Sequence, residues 1–189
     1  MGTRHLTVVV SNEQVKVAQY GQWDGYPSGA GETISAFIRE RMDFDKFKAN
    51  VEATTWSTAE ESKKIDEDKN WPEKYPWLSR DCGSKILEYV QEAPRKLSNM
   101  YEFAADSLFC EWAWVVNLDN KTLEVYRGFN KKPVEPTQRF AEIPFDKRHD
   151  GTYFHVRFVK AIPFADLTKS TMEDLESEMY PDEDEEDED

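Results

Sequence analysis

At 189 residues the chain is long enough for one well-buried domain and short for two. Its formal charge of −14 is concentrated at the end, where residues 173–189 hold twelve Asp and Glu and no Lys or Arg, leaving the first 172 at −2. No basic stripe is visible, which argues against nucleic-acid binding, and no apolar run reaches membrane-spanning length. The sequence therefore predicts a single domain over 1–172 and an acidic tail over 173–189. The tail is expected to be disordered, because like charges with little apolar surface cannot offset chain entropy. It serves as a solubilising tail, or else it binds a basic partner or the protein's own basic groove.

Cys82 and Cys110 lack C-x-x-C spacing, and His5, His149 and His155 lack H-E-x-x-H spacing. The pattern supports neither a disulfide framework nor a zinc site, so no metal or cofactor is expected. Without a basic-then-apolar leader the expected location is the cytoplasm.

His5 to Val10 and Val15 to Tyr20, separated by polar Ser11 to Gln14, read as a hairpin. A four-residue connection sets Val10 opposite Val15, then Val8 with Val17, Leu6 with Gln19 and His5 with Tyr20. That register gathers Leu6, Val8, Val10, Val15 and Val17 on one apolar face. Thr3, His5, Thr7, Lys16, Tyr20 and Gln22 share the other. The next twelve-residue stretch, Tyr20 to Gly31 (YGQWDGYPSGAG), holds four of the eight glycines. Because glycine permits positive φ and close backbone approach, this clustering predicts a loop of specified shape around Trp23, Asp24 and Tyr26.

From Glu32 to Met42, Ile34, Phe37 and Ile38 fall at helical spacing, and Asp43 caps a second helix carrying Phe44, Phe47 and Val51. Ser57-Thr58-Ala59-Glu60 is a capping box for a third helix, reaching Asn70, whose few apolar residues place it on the surface. Prolines are expected to keep Trp71-Pro72 and Tyr75-Pro76-Trp77-Leu78 non-helical, with the three rings packed as a lid or forming a binding platform. Asp81 caps a helix to Glu92 with Cys82, Ile86, Leu87 and Val90 on its apolar side. Cys82 and Cys110 read as unreactive thiols. Leu97 to Ser107 suggests a further short helix. Period two returns at Cys110 to Leu118 and Thr122 to Arg127, a second hairpin, and again at Tyr153 to Ile162. In that last strand Phe154, Val156 and Phe158 point inward. His155 and Arg157 point outward, toward the tail or an anionic ligand, or as surface charge beside Glu124. Hairpins without strand–helix–strand alternation predict an α+β fold with a mainly antiparallel sheet, an N-terminal hairpin and C-terminal strands enclosing several helices.

Gly2 to Leu6 (GTRHL), Gln22 to Pro27 (QWDGYP) and the glycines at 29 and 31 together resemble a family of small phage, bacterial and fungal proteins of unknown function. Those proteins open with an M-x-T-R-x-L segment and carry a W-D-G-Y-P loop further on. The resemblance covers residues 1–40 and extends to Cys110 to Tyr126 (CEWAWVVNLDNKTLEVY). It brings no reaction with it. Occurrence in phages and their hosts implies a binding or interaction module used in conflict between them. A looser similarity, Gly2-Thr3 followed by a strand, a short turn and a strand reading VKVA, is to the start of mature proteasome β subunits and other N-terminal-nucleophile hydrolases. It implies amide or peptide hydrolysis by Thr3 after loss of Met1-Gly2, with the α-amine as base. It also implies αββα layering, with Lys16 as the nearest cationic partner. Ordinary removal of Met1 alone leaves Gly2 in place.

The candidate catalytic residues are thus Thr3, His5 and Asp24, with Arg4, Tyr20, Gln22, Trp23, Gly25, Tyr26, Gly29 and Gly31 as binding residues. His5 would act as general base oriented by Asp24, and glycine N–H groups would meet an anion. The same residues equally fit a structural corner, with an Asx-type turn at Asp24-Gly25 and His5 packed on Tyr20. The partner is expected to be a protein or small-molecule ligand of unknown identity, and the sequence does not specify an oligomeric state.

Overall fold

The computed structural model describes residues 2–144 and 152–180. Strand β1 (His5–Ser11) is buried along its whole length. Its alternate residues feed two cores. Leu6, Val8 and Val10 enter one with Ala18, Ala113, Val115, Tyr126 and Phe140. Val9 enters the other, with Val17, Trp112, Trp114 and Val116. A strand apolar on both faces belongs at the centre of a sheet, and β1 lies there, between β2 (Gln14–Gly21) and β5 (Trp112–Asn117).

The β1–β2 connection is a two-residue turn, Asn12-Glu13, with φ of 52° and 60°. Positive φ at both central residues matches the twist of a tight hairpin. The Asp119 carboxylate accepts both turn N–H groups at 2.8 Å. Val10 pairs with Val15 as the sequence predicts, but Lys16 is bulged out and Val9 takes Val17. The extra residue moves the rest of the ladder by one, so His5 faces Gly21 and Tyr20 faces Leu6. The expected single apolar face of the hairpin is therefore split between the two cores.

The five-stranded sheet runs β2-β1-β5-β6-β7, with β6 at Thr122–Arg127 and β7 at Arg157–Pro163. Three of its ladders are antiparallel, in an α+β arrangement. The exception is the central joint, because β1 and β5 are parallel. Parallel neighbours need a long crossover, and the helices between residues 27 and 92 supply it. Pro27–Gly31, α1 (Glu32–Ala36) and Phe37–Arg41 run on as one helix with π-type turns at both ends. Helices α2 (Phe44–Ala53) and α5 (Ile86–Glu92) pack Phe47, Val51, Ile86, Leu87 and Val90 onto the same face of the sheet. The other face is covered by a 3-10 helix, Tyr101–Ala105, within the stretch where the sequence suggests a short helix, and by irregular chain carrying Phe140, Ile143 and Val156. A single large sheet with helices on one side differs from the αββα layering implied by the looser resemblance. Beside it the described residues add only the short parallel pair β3 (Thr55–Trp56) and β4 (Lys96–Leu97).

Asp43 caps α2 at Lys46 N–H. The capping box of α3 (Ala59–Glu67) is Thr58 with Glu61, one residue later than the sequence pattern, and α3 buries nothing. Trp71–Lys74 forms a short helix, α4, and Pro76–Leu78 a 3-10 turn. Proline occupies the first turn of each, where no donor is lost. Trp77 packs on the core, with the Arg95 guanidinium 4.3 Å from its centroid. β7 begins only at Arg157 and bulges at Val159. His155 consequently turns inward, its Nε2 2.7 Å from the Ile143 carbonyl, and Phe158 is exposed.

The tail expected from residue 173 is helical at its start. Helix α6 (Thr171–Met179) buries Met172 and Leu175 against the helical face of the sheet. The rest of the tail, 181–189, for which disorder is expected, and His149 lie outside the described residues. No helix among the described residues is long and apolar enough to cross a membrane.

On the other face Glu124 is buried and fully engaged. It accepts from Arg139 Nε at 2.7 Å and Nη2 at 2.5 Å, from Asn117 at 3.0 Å and from the Tyr126 hydroxyl at 2.8 Å. Burial favours its neutral form, and these four donors, led by Arg139, outweigh that and hold its pKa below the usual range. Arg139→Met strands the carboxylate and is expected to cost about 3 kcal/mol in urea unfolding. Adding Glu124→Gln should recover much of that loss, since no charge is then left buried.

Candidate functional site

Gly25 fastens the Trp23–Pro27 segment to the sheet. Its N–H donates to the Thr3 carbonyl at 2.9 Å, and its carbonyl accepts the buried indole N–H of Trp114 at 2.9 Å. No side chain fits there, because a Cβ on Gly25 would lie 2.8 Å from that of His5. Asp24 adopts a φ of 53°, which an Asp tolerates better than most residues, and its carbonyl accepts Ala30 N–H at 2.6 Å. The chain then enters the helix at Pro27. Gly29 and Gly31 are thus helical rather than part of an open loop, and both donate to the Tyr26 carbonyl. Gly29 sits against the Asp24 backbone, and Gly31 packs on Trp114 and Met172. Gly25, Gly29 and Gly31 therefore offer no free N–H to an anion. Ser28 N–H is also engaged, by a Glu176 carboxylate oxygen of α6 at 2.7 Å.

An open cleft of about 540 Å³ lies where β1 begins and β2 ends. His5, Gln22, Trp23, Asp24, Tyr26 and Gly29 line it, so the structure gathers six of the eleven sequence candidates. Trp23 is 51 % exposed yet anchored. Its indole N–H donates to Asp81 at 3.0 Å, and Gly2 lies against its benzo ring so closely that a Cβ there would clash. The Tyr26 hydroxyl donates to Asp24 at 3.2 Å, and Asp24 in turn raises its pKa.

The other candidates do not line the cleft. Arg4 turns away, its guanidinium 4.6 Å from the Phe109 centroid and 3.7 Å from Glu111. Tyr20 donates to Gln22 at 2.6 Å and packs edge-on against Phe103, away from His5. Thr3 meets the site only through its carbonyl bond to Gly25. Lys16 sits at the hairpin bulge, at the far end of β1 from Thr3.

The sequence pattern does not join residues 81–85 to this corner. Asp81, Cys82, Gly83, Ser84 and Lys85 form the facing wall. Gln22 N–H bonds the Arg80 carbonyl at 3.2 Å, and Ser84 shares a buried hydroxyl contact of 3.1 Å with Thr7. Asp81 holds Trp23 instead of capping the following helix, whose 3-10 start, Gly83–Lys85, has no side-chain cap. The paired polar residues Thr7 and Ser84 are a signal visible only once β1 and that helix are known to touch.

His5 is 2 % exposed, with its ring wedged against Gly21 and Gly83. A Cβ on Gly21 would fall inside the ring, so glycine is required opposite His5. Burial drives the His5 pKa down to about 4, against smaller upward pulls from the Trp23 backbone and the Asp24 carboxylate. The Trp23 pull notwithstanding, no group meets Nδ1 at hydrogen-bond distance and angle. At pH 7 His5 is a neutral imidazole, poorly matched to general-base work. Cys82 is likewise a thiol, its pKa pushed up to about 12 by burial despite Lys85, and burial also raises that of Cys110. Neither supplies a thiolate. Among the described residues no group of three or more His, Cys, Asp or Glu is placed to hold a metal ion. Comparison with protein-family models, curated proteins and solved structures finds no match to the chain.

Because the unfolded chain protonates His5 near 6.5 and the folded one only near 4, the unfolded state binds more protons in that window. Stability at His5 is complete above the upper value and falls as pH drops toward the lower one, by on the order of 3 kcal/mol in total. Urea unfolding of wild type and His5→Asn at pH 7 and pH 4.5 should show the wild type losing more stability. Equal losses would contradict the low pKa.

Proposed function

We propose that the protein is a binding module whose Trp23 cleft takes a ligand or a segment of a partner. The observation that carries this reading is Trp23, a large ring left half-exposed but anchored by Asp81 and Gly2 at the mouth of a cleft. Rigid, exposed aromatics of this kind are the usual energetic anchors of recognition surfaces. The low pKa of His5, which makes it a weak base, and the protonated thiol of Cys82 weigh the same way. The resemblance of residues 1–40 to phage, bacterial and fungal proteins extends the proposal to a cytoplasmic role in phage–host conflict.

Screening a fragment library by two-dimensional amide NMR tests the binding role. Hits are expected to move the amides of Gly21–Tyr26 and Cys82–Lys85. Trp23→Ala should weaken them by about tenfold or more, and Thr3→Ala should leave them unchanged. Hits confined to other surfaces, or insensitivity to Trp23→Ala, would overturn it.

The alternative, an N-terminal-nucleophile hydrolase, rests on the resemblance at Gly2-Thr3. Intact mass of protein expressed without an N-terminal tag separates the two. A chain retaining Met1 or Gly2 is expected. A chain beginning at Thr3, with amide hydrolysis abolished by Thr3→Ala, would replace the binding role.

A further inference from the structure

The chemistry of the cleft wall narrows what the proposed binding role can hold. Two carboxylates, Asp24 and Asp81, line the cleft beside one cation, Lys85, and a neutral His5. Among the described residues, the side-chain donors that reach the two carboxylates are neutral: the Tyr26 hydroxyl for Asp24 and the Trp23 indole for Asp81. Neither carboxylate has an ion-pair partner among the described residues. The two carboxylates thus give the cleft a negative wall that its single lysine does not neutralise one for one.

His5 is the second, independent sign. A buried polar atom without a partner carries a desolvation cost. The His5 ring is 2 % exposed, forms part of the cleft wall and has an unmet Nδ1. A neutral imidazole carries one N–H and one lone pair, so a ligand at the cleft wall can meet a ring nitrogen that the chain leaves unpaired.

An anion is disfavoured by the Asp24 and Asp81 carboxylates themselves, and several N–H groups around the cleft are already bonded. Ser28 holds the Glu176 carboxylate, and Gly25, Gly29 and Gly31 donate to backbone carbonyls. A metal ion is disfavoured because no cluster of ligating side chains is in place among the described residues. An organic cation fits what remains. Trp23 offers an aromatic face for cation–π contact, the strongest of the side chains in that role.

We propose that the Trp23 cleft binds an organic cation, an alkylammonium or guanidinium group, seated against Trp23 and neutralised by Asp24 and Asp81. This rests on the binding role proposed above, and the cation belongs either to a free amine or to a basic side chain of a protein partner.

The test is titration of the full chain with methylguanidinium and butylammonium chlorides, followed by amide NMR. Sodium acetate, sodium chloride and a neutral amide of similar size, at matched ionic strength, are the controls. The cations are expected to give saturable shifts at Gly21–Tyr26 and Cys82–Lys85 that the controls do not. Asp24→Asn with Asp81→Asn should weaken them by about tenfold, with the remaining spectrum reporting an intact fold. Asn tolerates the positive φ of residue 24, so that variant does not strain the turn. An Arg-bearing hexapeptide binding at least about tenfold tighter than methylguanidinium would assign the cation to a protein partner, and equal affinity to a free amine. Shifts at these amides from acetate or the neutral amide, with none from the cations, would overturn the cation and keep the binding role. Silence from every probe at these amides would overturn both.

Discussion

The site depends on one buried hydrogen bond, from the Trp114 indole to the Gly25 carbonyl. Trp114 belongs to β5, the parallel neighbour of β1, so the bond ties an irregular segment to the middle of the sheet. A buried donor left unmet would cost more than the bond itself contributes, which makes the contact directional as well as stabilising. Together with the Thr3–Gly25 bond it sets where Trp23, Asp24 and Tyr26 emerge. Trp112, stacked on Trp114 at 5.6 Å, extends the same support along β5.

The parallel joint between β1 and β5 explains why a cleft forms at that end of the sheet. His5 and Trp112 begin adjacent strands side by side, while Gly21 ends β2 next to them. The crossover starts and finishes around this edge, bringing residues 22–31 and 80–85 over it. Small residues open the space, since Gly21 and Gly83 accept the His5 ring between them. Helix α6 closes the far side through Glu176, whose carboxylate meets the N-terminal end of the helix that starts at Pro27. A negative group is favoured at such an end. The acidic C-terminal segment is therefore built into the fold where it begins.

Reactive chemistry and recognition make different demands on such a site. Burial pulls the His5 pKa well below neutral and pushes that of Cys82 well above it, which leaves a weak base and a thiol in place of a strong base and a thiolate. The anchored, exposed indole and the two carboxylates without cation partners favour recognition. The proposed binding role rests on these features together with the shape of the cleft.

Short-range physics made several features legible without a structure. The Asp43 cap, the Trp112–Trp114–Val116 face, the second hairpin and the surface placement of α3 each depend on residues close in sequence. So does the prominence of Trp23 to Tyr26, signalled by clustered glycines. The bulge at Lys16 was not legible, because Val10 opposite Val15 is compatible with either continuation and only packing on both faces of β1 selects one. For the same reason His155 could not be turned inward from period two alone. The sequence by itself determined the two hairpins, helices α2 and α3 and the α+β class, and it singled out the Trp23 corner as a candidate. Tertiary structure alone decided that β1 and β5 lie parallel, that the glycines at 29 and 31 are helical and that Asp81 holds Trp23. These outcomes turn on contacts between residues far apart in the chain, whose strength depends on burial, and burial does not exist until the sheet and helices have come together.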